Sequence, residues 1–185
     1  MPQVDKLLIG ELLEAYRLQR HDFLNHWQVV TGYLQLNHAE KALQYIRTML
    51  PEFEAEQLAG LIPEKSASAC ILTLIVKLHK EGIPLELKLA KEWNEEEFWS
   101  KYWREEYLQA LYGYTSECLE LSLHSQELPL KTVLTLGREP GDAEDSKAVN
   151  EAGLSFKFEL YPPTGETGKK AGEQKATAIE LILGE

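Results

Sequence analysis

Basic residues are scarce in this sequence: 19 lysines and arginines stand against 30 aspartates and glutamates, a formal net charge of −11. A surface of that sign lacks the cationic stripe that neutralises a phosphate backbone, which argues against nucleic acid as a partner. It favours solubility and steering toward basic patches on another protein. No apolar run approaches the ~20 residues needed to cross a bilayer. The opening Met1-Pro2-Gln3-Val4-Asp5-Lys6 leads only into Leu7-Leu8-Ile9, too short for the apolar region of a secretory signal. Cysteine is nearly absent. Cys70 and Cys118 fall in apolar helical stretches with no metal-ligand spacing, so both are expected to be buried and reduced, a cytoplasmic pattern.

What is present is ordinary globular composition, 185 residues with 44% hydrophobic and 26% charged. That length suits one domain, or a small helical element plus a compact domain, and is too short for separate sensory, catalytic and regulatory modules. No internal repeat is visible. Residues 5–36 read as one long helix, with Leu8, Leu12, Tyr16, Gln19, Phe23, Trp27, Val30 and Leu34 recurring every three or four positions as one seam. Asn37 is a candidate left-handed cap. A second helix is expected over 39–59, carrying Ala42, Leu43, Ile46, Met49, Leu50, Phe53 and Leu58, with Pro51 kinking or dividing it. Two such helices form an antiparallel hairpin that cannot enclose a core. The simplest partner for the shared seam is a second copy, giving a four-helix bundle across a dimer axis.

Composition changes after Leu61-Ile62-Pro63, so the domains are expected at 1–60 and 61–185. A largely apolar helix over 66–81 should stop at Gly82. Strands are expected over 83–89, where Pro84 favours the start or an edge position, over 130–136, from 154 to 160, and over 177–183. Helical segments fall at 95–124, in one or two pieces, and near 142–152, closing on Gly153, with a loop over 162–174. The second region is thus two-layered, helices over a small sheet, and the whole chain is of the α+β class.

On the first helix, with His21 set at zero, Leu12, Phe23, Val30 and Leu34 fall near the opposite side. Glu14, Arg17, Asn25, Gln28, Gly32 and Gln35 lie within about 40° of it at 100° per residue. By spacing alone this is a solvated face holding one histidine. The string Arg20-His21-Asp22-Phe23-Leu24-Asn25-His26, continued by an apolar period through Leu36, resembles the phospho-acceptor helix of two-component histidine kinases, in the style of the citrate- and dicarboxylate-sensing kinases. The layout and length of the whole chain are similar to the sporulation initiation phosphotransferase B family, a helical hairpin followed by an α/β domain. The close motif covers the single helix; the rest of the likeness is architectural.

That resemblance implies that His21 is the phospho-acceptor, with its imidazole, neutral near pH 7, as the nucleophile. It implies an orienting role for Asp22 and a phosphoryl or receiver contact for Asn25. Glu14, Arg17, Leu18, Leu24 and Gln28 become the expected partner surface, and Arg17 and Arg20 are placed to offset phosphoryl charge. His26 borders the seam four residues after Asp22 and reads as a packed histidine bonded to that acid. No role falls to His38, His79 or His124. The implied partners are response regulators: a single-domain receiver as donor and a sporulation transcription factor as acceptor. No cofactor of its own is expected, Mg²⁺ coming with the receiver.

The nucleotide-binding signs of the kinase family are missing. The helix at the matching place, Tyr107-Leu108-Gln109-Ala110-Leu111-Tyr112-Gly113-Tyr114, has no asparagine, and Leu136-Gly137-Arg138-Glu139-Pro140-Gly141-Asp142 does not fit an Asp-x-Gly-x-Gly box. Gly165-Glu166-Thr167-Gly168-Lys169-Lys170 has the wrong glycine spacing for a phosphate loop and no Ser or Thr after the lysine. The α/β domain looks like a degenerate kinase ATPase fold without a nucleotide site, as the resemblance to that phosphotransferase family implies. Two alternatives stand beside a histidine phosphotransferase: part of a sensor kinase with a divergent ATP site, and a receiver-docking scaffold without chemistry.

Overall fold

The computed structural model describes residues 2–125, 131–138, 153–161 and 177–184. Helix α1 runs from Pro2 to Gln35 and is followed by α2, Ala39–Met49. The reversal between them is set by Asn37, at φ +59°. The His38 N–H donates to the Tyr33 carbonyl (2.8 Å) and the Asn37 N–H to that of Leu34 (3.0 Å), so the last free carbonyls of α1 are satisfied by its own turn. Pro51 then divides the second helix. It opens a 3₁₀ turn, Leu50–Phe53, where its missing N–H costs little, and α3 resumes over Glu54–Gly60.

Helix α4, Lys65–Lys80, begins where the Glu64 carboxylate accepts from the Ser66 N–H at 3.1 Å. It ends at Gly82, φ +73°, in the same capping geometry as α1, with the Ile83 N–H on the Leu78 carbonyl at 2.9 Å. Strand β1, Leu85–Leu89, follows immediately. A 3₁₀ turn over Lys91–Asn94, α5 (Glu96–Tyr102) and α6 (Tyr107–His124) then lead to β2, Lys131–Arg138. That crossover lets β1 and β2 pair in parallel. β3 (Leu154–Tyr161) and β4 (Thr177–Leu183) complete a mixed sheet in the order β1-β2-β3-β4, both added antiparallel. The helix expected near 142–152 and the loop over 162–174 lie outside the described residues.

The register puts Leu87, Leu134, Phe158 and Ile179 in one row and Leu89, Leu136, Phe156 and Leu181 in the next, all facing the helices. The other face carries ion pairs of Lys88 and Lys131 with Glu86 and of Lys157 with Glu159. One sheet face is dry and the other wet, which is what limits this part to two layers. Trp93, in the short turn after β1, is fully buried, its ring edge-on to Trp99 at 4.8 Å and to Phe156 at 5.2 Å. Tyr114 on α6 donates its hydroxyl to the Phe156 carbonyl at 2.9 Å. Cys70 and Cys118 are buried and unlinked, and burial pushes each thiol up to about 12, so both stay neutral and unreactive at physiological pH.

Leu8 of α1 and Ala55 and Ala59 of α3 belong to the same core as Ile71, Leu74, Leu78 and Phe156. The start of the long helix is therefore seated on the helical layer of the α/β region, while its far half runs along α2. The long apolar seam read from sequence divides accordingly. Leu8 and Val30 are buried, whereas Tyr16, Phe23, Trp27 and Leu34 are 51–61% exposed in the single chain.

Candidate functional site

His21 stands midway along α1 with its side chain 73% exposed. Its Nδ1 lies 3.2 Å from Oδ1 of Asp22 and 3.2 Å from Nδ2 of Asn25. The spacing is helical in origin: Asn25 is one turn on, and Asp22 is the next residue, about 100° round the axis. One ring nitrogen is thereby occupied by two neighbours that want opposite things. When Nδ1 bears the proton it donates to the Asp22 carboxylate, and the lone pair resides on Nε2, which makes no hydrogen bond among the described residues. In that tautomer Nε2 presents its lone pair to solvent.

Of the other residues singled out from sequence, Glu14, Arg17, Arg20, Leu24 and Gln28 are exposed around His21, and Leu18 is half-buried. His26 is half-buried as its border position requires. Its Nδ1 sits 2.8 Å from the Tyr45 hydroxyl, and its ring stands edge-on to Phe53 with centroids 5.8 Å apart. It ties α1 to α2 and to the turn at Pro51.

Two further ties escaped the sequence reading. Gln19, counted there in the apolar seam, donates through Nε2 to the buried Glu56 carboxylate of α3. Glu11 accepts from the Tyr112 hydroxyl on α6 at 3.0 Å and pairs with Lys77 of α4 at 2.8 Å. Burial first, and the Glu11 carboxylate second, raise the Tyr112 hydroxyl above its ordinary range, so it remains a donor. A polar residue on an otherwise apolar helix face was the available signal for both. With His26, these contacts hold α1 on either side of His21, so the imidazole projects from a helix clamped at three heights. Among the described residues no group of three or more His, Cys, Asp or Glu is arranged to hold a metal ion, and no helix is long and apolar enough to cross a membrane.

Residues 5–59 match the family described as the alpha-helical domain of SpoOB-type sensor kinases. The chain is also 29% identical over 88 residues to a probable C4-dicarboxylate sensor kinase of Halalkalibacterium halodurans, a stretch covering 48% of this chain. The matched part makes up 16% of that relative's length. The hairpin that carries His21 is thus similar to the helical domain of sensor kinases, and both likenesses point to two-component signalling.

The contrast between the two helix-1 histidines gives a direct stability test. His21→Ala should leave unfolding free energy within about 0.5 kcal/mol of wild type, since an exposed ring is lost and alanine favours helix. His26→Ala should cost about 1–2 kcal/mol, because it removes a half-buried ring and strands the Tyr45 hydroxyl. Urea melts of the two variants check this, and equal losses would contradict the placement.

Proposed function

We propose that the chain is a phosphorelay histidine phosphotransferase: His21 takes a phosphoryl group from the aspartate of one response regulator and passes it to the aspartate of a second. The observation that carries this reading is an exposed imidazole whose Nδ1 lies within hydrogen-bond distance of the Asp22 carboxylate, on a hairpin that resembles sensor-kinase helical domains. In the first transfer the Nε2 lone pair forms a bond to phosphorus as the bond from phosphorus to the aspartyl oxygen breaks. The electron pair returns to the carboxylate, and the Nδ1 proton stays on the ring, its positive charge facing Asp22. The second transfer is the reverse displacement onto another carboxylate. Such reactions need positioning and charge neutralisation more than covalent help. Asp22 fixes the tautomer, Asn25 donates to a phosphoryl oxygen once the group is bound, and Arg17 and Arg20 offset its charge. The Mg²⁺ belongs to the receiver, which supplies the remaining neutralisation. Sporulation initiation is the setting that the architectural resemblance suggests, and the cytoplasm is where such partners are found.

The same reading makes the protein a homodimer. Tyr16, Phe23, Trp27 and Leu34 of α1, with Leu43 and Leu50 of the second helix, are each more than half exposed in the single chain. Left in water, large side chains of this kind forgo about 1.5–3 kcal/mol each. A second hairpin laid against them completes a four-helix bundle with His21 at its flank. The sensor-kinase alternative rests on the curated relative's description and requires ATP to be the donor. It is disfavoured because α6 offers no asparagine among Tyr107–His124.

Two measurements test this. Light scattering at micromolar concentration should return twice the 21.1 kDa chain mass; a folded monomer contradicts the bundle. Phosphorylated receivers should load an acid-labile phosphate onto wild type and not onto His21→Gln, whereas millimolar Mg-ATP should load none. Stoichiometric labelling by ATP would move the chain to the sensor-kinase class, and a receiver that binds without transfer would support the scaffold.

A further inference from the structure

Along α1, on the N-terminal side of His21, the molecule has a groove of about 190 Å³ whose walls come from both parts of the chain. Helix α1 contributes Glu11, Glu14, Ala15 and Leu18; α4 and its end contribute Lys77, Lys80 and Glu81; α6 contributes Leu119 and Leu123. Its floor is apolar and its rim charged. Leu123 is 49% exposed, and Lys80 forms no ion pair among the described residues. Lys77, by contrast, is spent on Glu11.

The groove's position relative to His21 decides who can fill it. At 100° per residue the α1 residues that line it lie about 20–120° from the His21 direction, on the side where Asp22 and Asn25 also project. Along the axis Leu18 is about 4.5 Å and Glu14 about 10.5 Å from the level of His21. The exposed apolar stripe of Phe23, Trp27 and Leu34 lies on the other flank, about 200–240° round, so a second copy seated there leaves the groove open. A protein whose aspartate comes within bonding distance of Nε2 covers on the order of 800 Å² of this surface, a disc of about 16 Å radius. A disc of that size, centred on His21 and excluded from the dimer flank, spreads over the groove.

We infer that the groove is a second docking point for the receiver that exchanges phosphoryl groups with His21, which rests on the function proposed above. The receiver fills it with one large apolar side chain against Leu18, Leu119 and Leu123, and sets a carboxylate beside Lys80. The α/β region then has a positive task. Its α4 and α6 supply half of the partner's footprint and bind the receiver through contacts that play no part in the transfer itself.

The test uses the full chain and purified receiver domains phosphorylated with acetyl phosphate, in single-turnover transfer measured against receiver concentration. Leu123→Asp and Lys80→Glu are both exposed changes, and circular dichroism and melting should be unchanged. Each should raise the half-saturating receiver concentration about tenfold while leaving the transfer rate at saturation within twofold. Lys80→Arg should retain wild-type behaviour. Transfer to wild type with the same half-saturation for Leu123→Asp and Lys80→Glu overturns this inference and leaves the phosphotransferase reading intact. A fall in the saturated rate alone also overturns it, since the groove would then act on chemistry rather than docking. Failure of every receiver to label wild type overturns both.

Discussion

Helix α1 is too long for its hairpin partner, and the rest of the architecture answers that mismatch. At 1.5 Å per residue its 34 residues span about 51 Å, while the 11 residues of α2 cover about a third of that length. An unsupported helical overhang of this size is marginal in water. The opening turns therefore settle on α4 and α6 through Leu8, Ala15 and the Glu11–Tyr112–Lys77 cluster. Gln19 and His26 carry the support onward to α3 and α2. His21 falls between these supports. Under the function proposed above, His21 must meet a reacting phosphorus within a few tenths of an ångström, and it gains most from being held at such a place.

The same constraint explains why the chain needs its α/β region even if that region binds no nucleotide. Leu8, Ala55 and Ala59 share a core with Ile71, Leu78 and Phe156, so the sheet and its helices act as the base on which the hairpin stands. Phosphoryl transfer between aspartate and histidine asks for no bound adenine; it asks for a firm helix and a surface the partner can find. A layer of helices over a sheet serves that purpose without any nucleotide motif.

Much of this was legible in the sequence, for local reasons. Asn37, Pro51 and Gly82 punctuate the chain where the backbone needs a left-handed residue or a missing donor, and the helices end or break at those points. Strict alternation in Leu154-Ser155-Phe156-Lys157-Phe158-Glu159-Leu160 marked β3 as covered on one face only. His21 was readable as exposed because its helical neighbours are polar. Other features were not readable. A helical period groups residues into one broad apolar stripe but does not say which part of the stripe meets which neighbour. Tyr16 and Trp27 were thus merged with Leu8 and Val30, though the former face outward and the latter inward. Nor does periodicity link Glu11 to Tyr112, 101 residues away, since that contact exists only after α6 has packed. The 3₁₀ turn around Trp93 is set by the cavity its indole fills against Trp99 and Phe156, a tertiary cause with no local signature.

The central claim is that Asp22 accepts from Nδ1–H of His21, so that the lone pair on Nε2 does the proposed chemistry. Nitrogen-15 NMR of histidine-labelled protein, recorded after loading by a phosphorylated receiver, observes this directly. The account predicts a single phosphorus–nitrogen bond, at Nε2 of His21, with Nδ1 still carrying its proton. Phosphate on Nδ1, or on His26, His38 or any other residue, would contradict it.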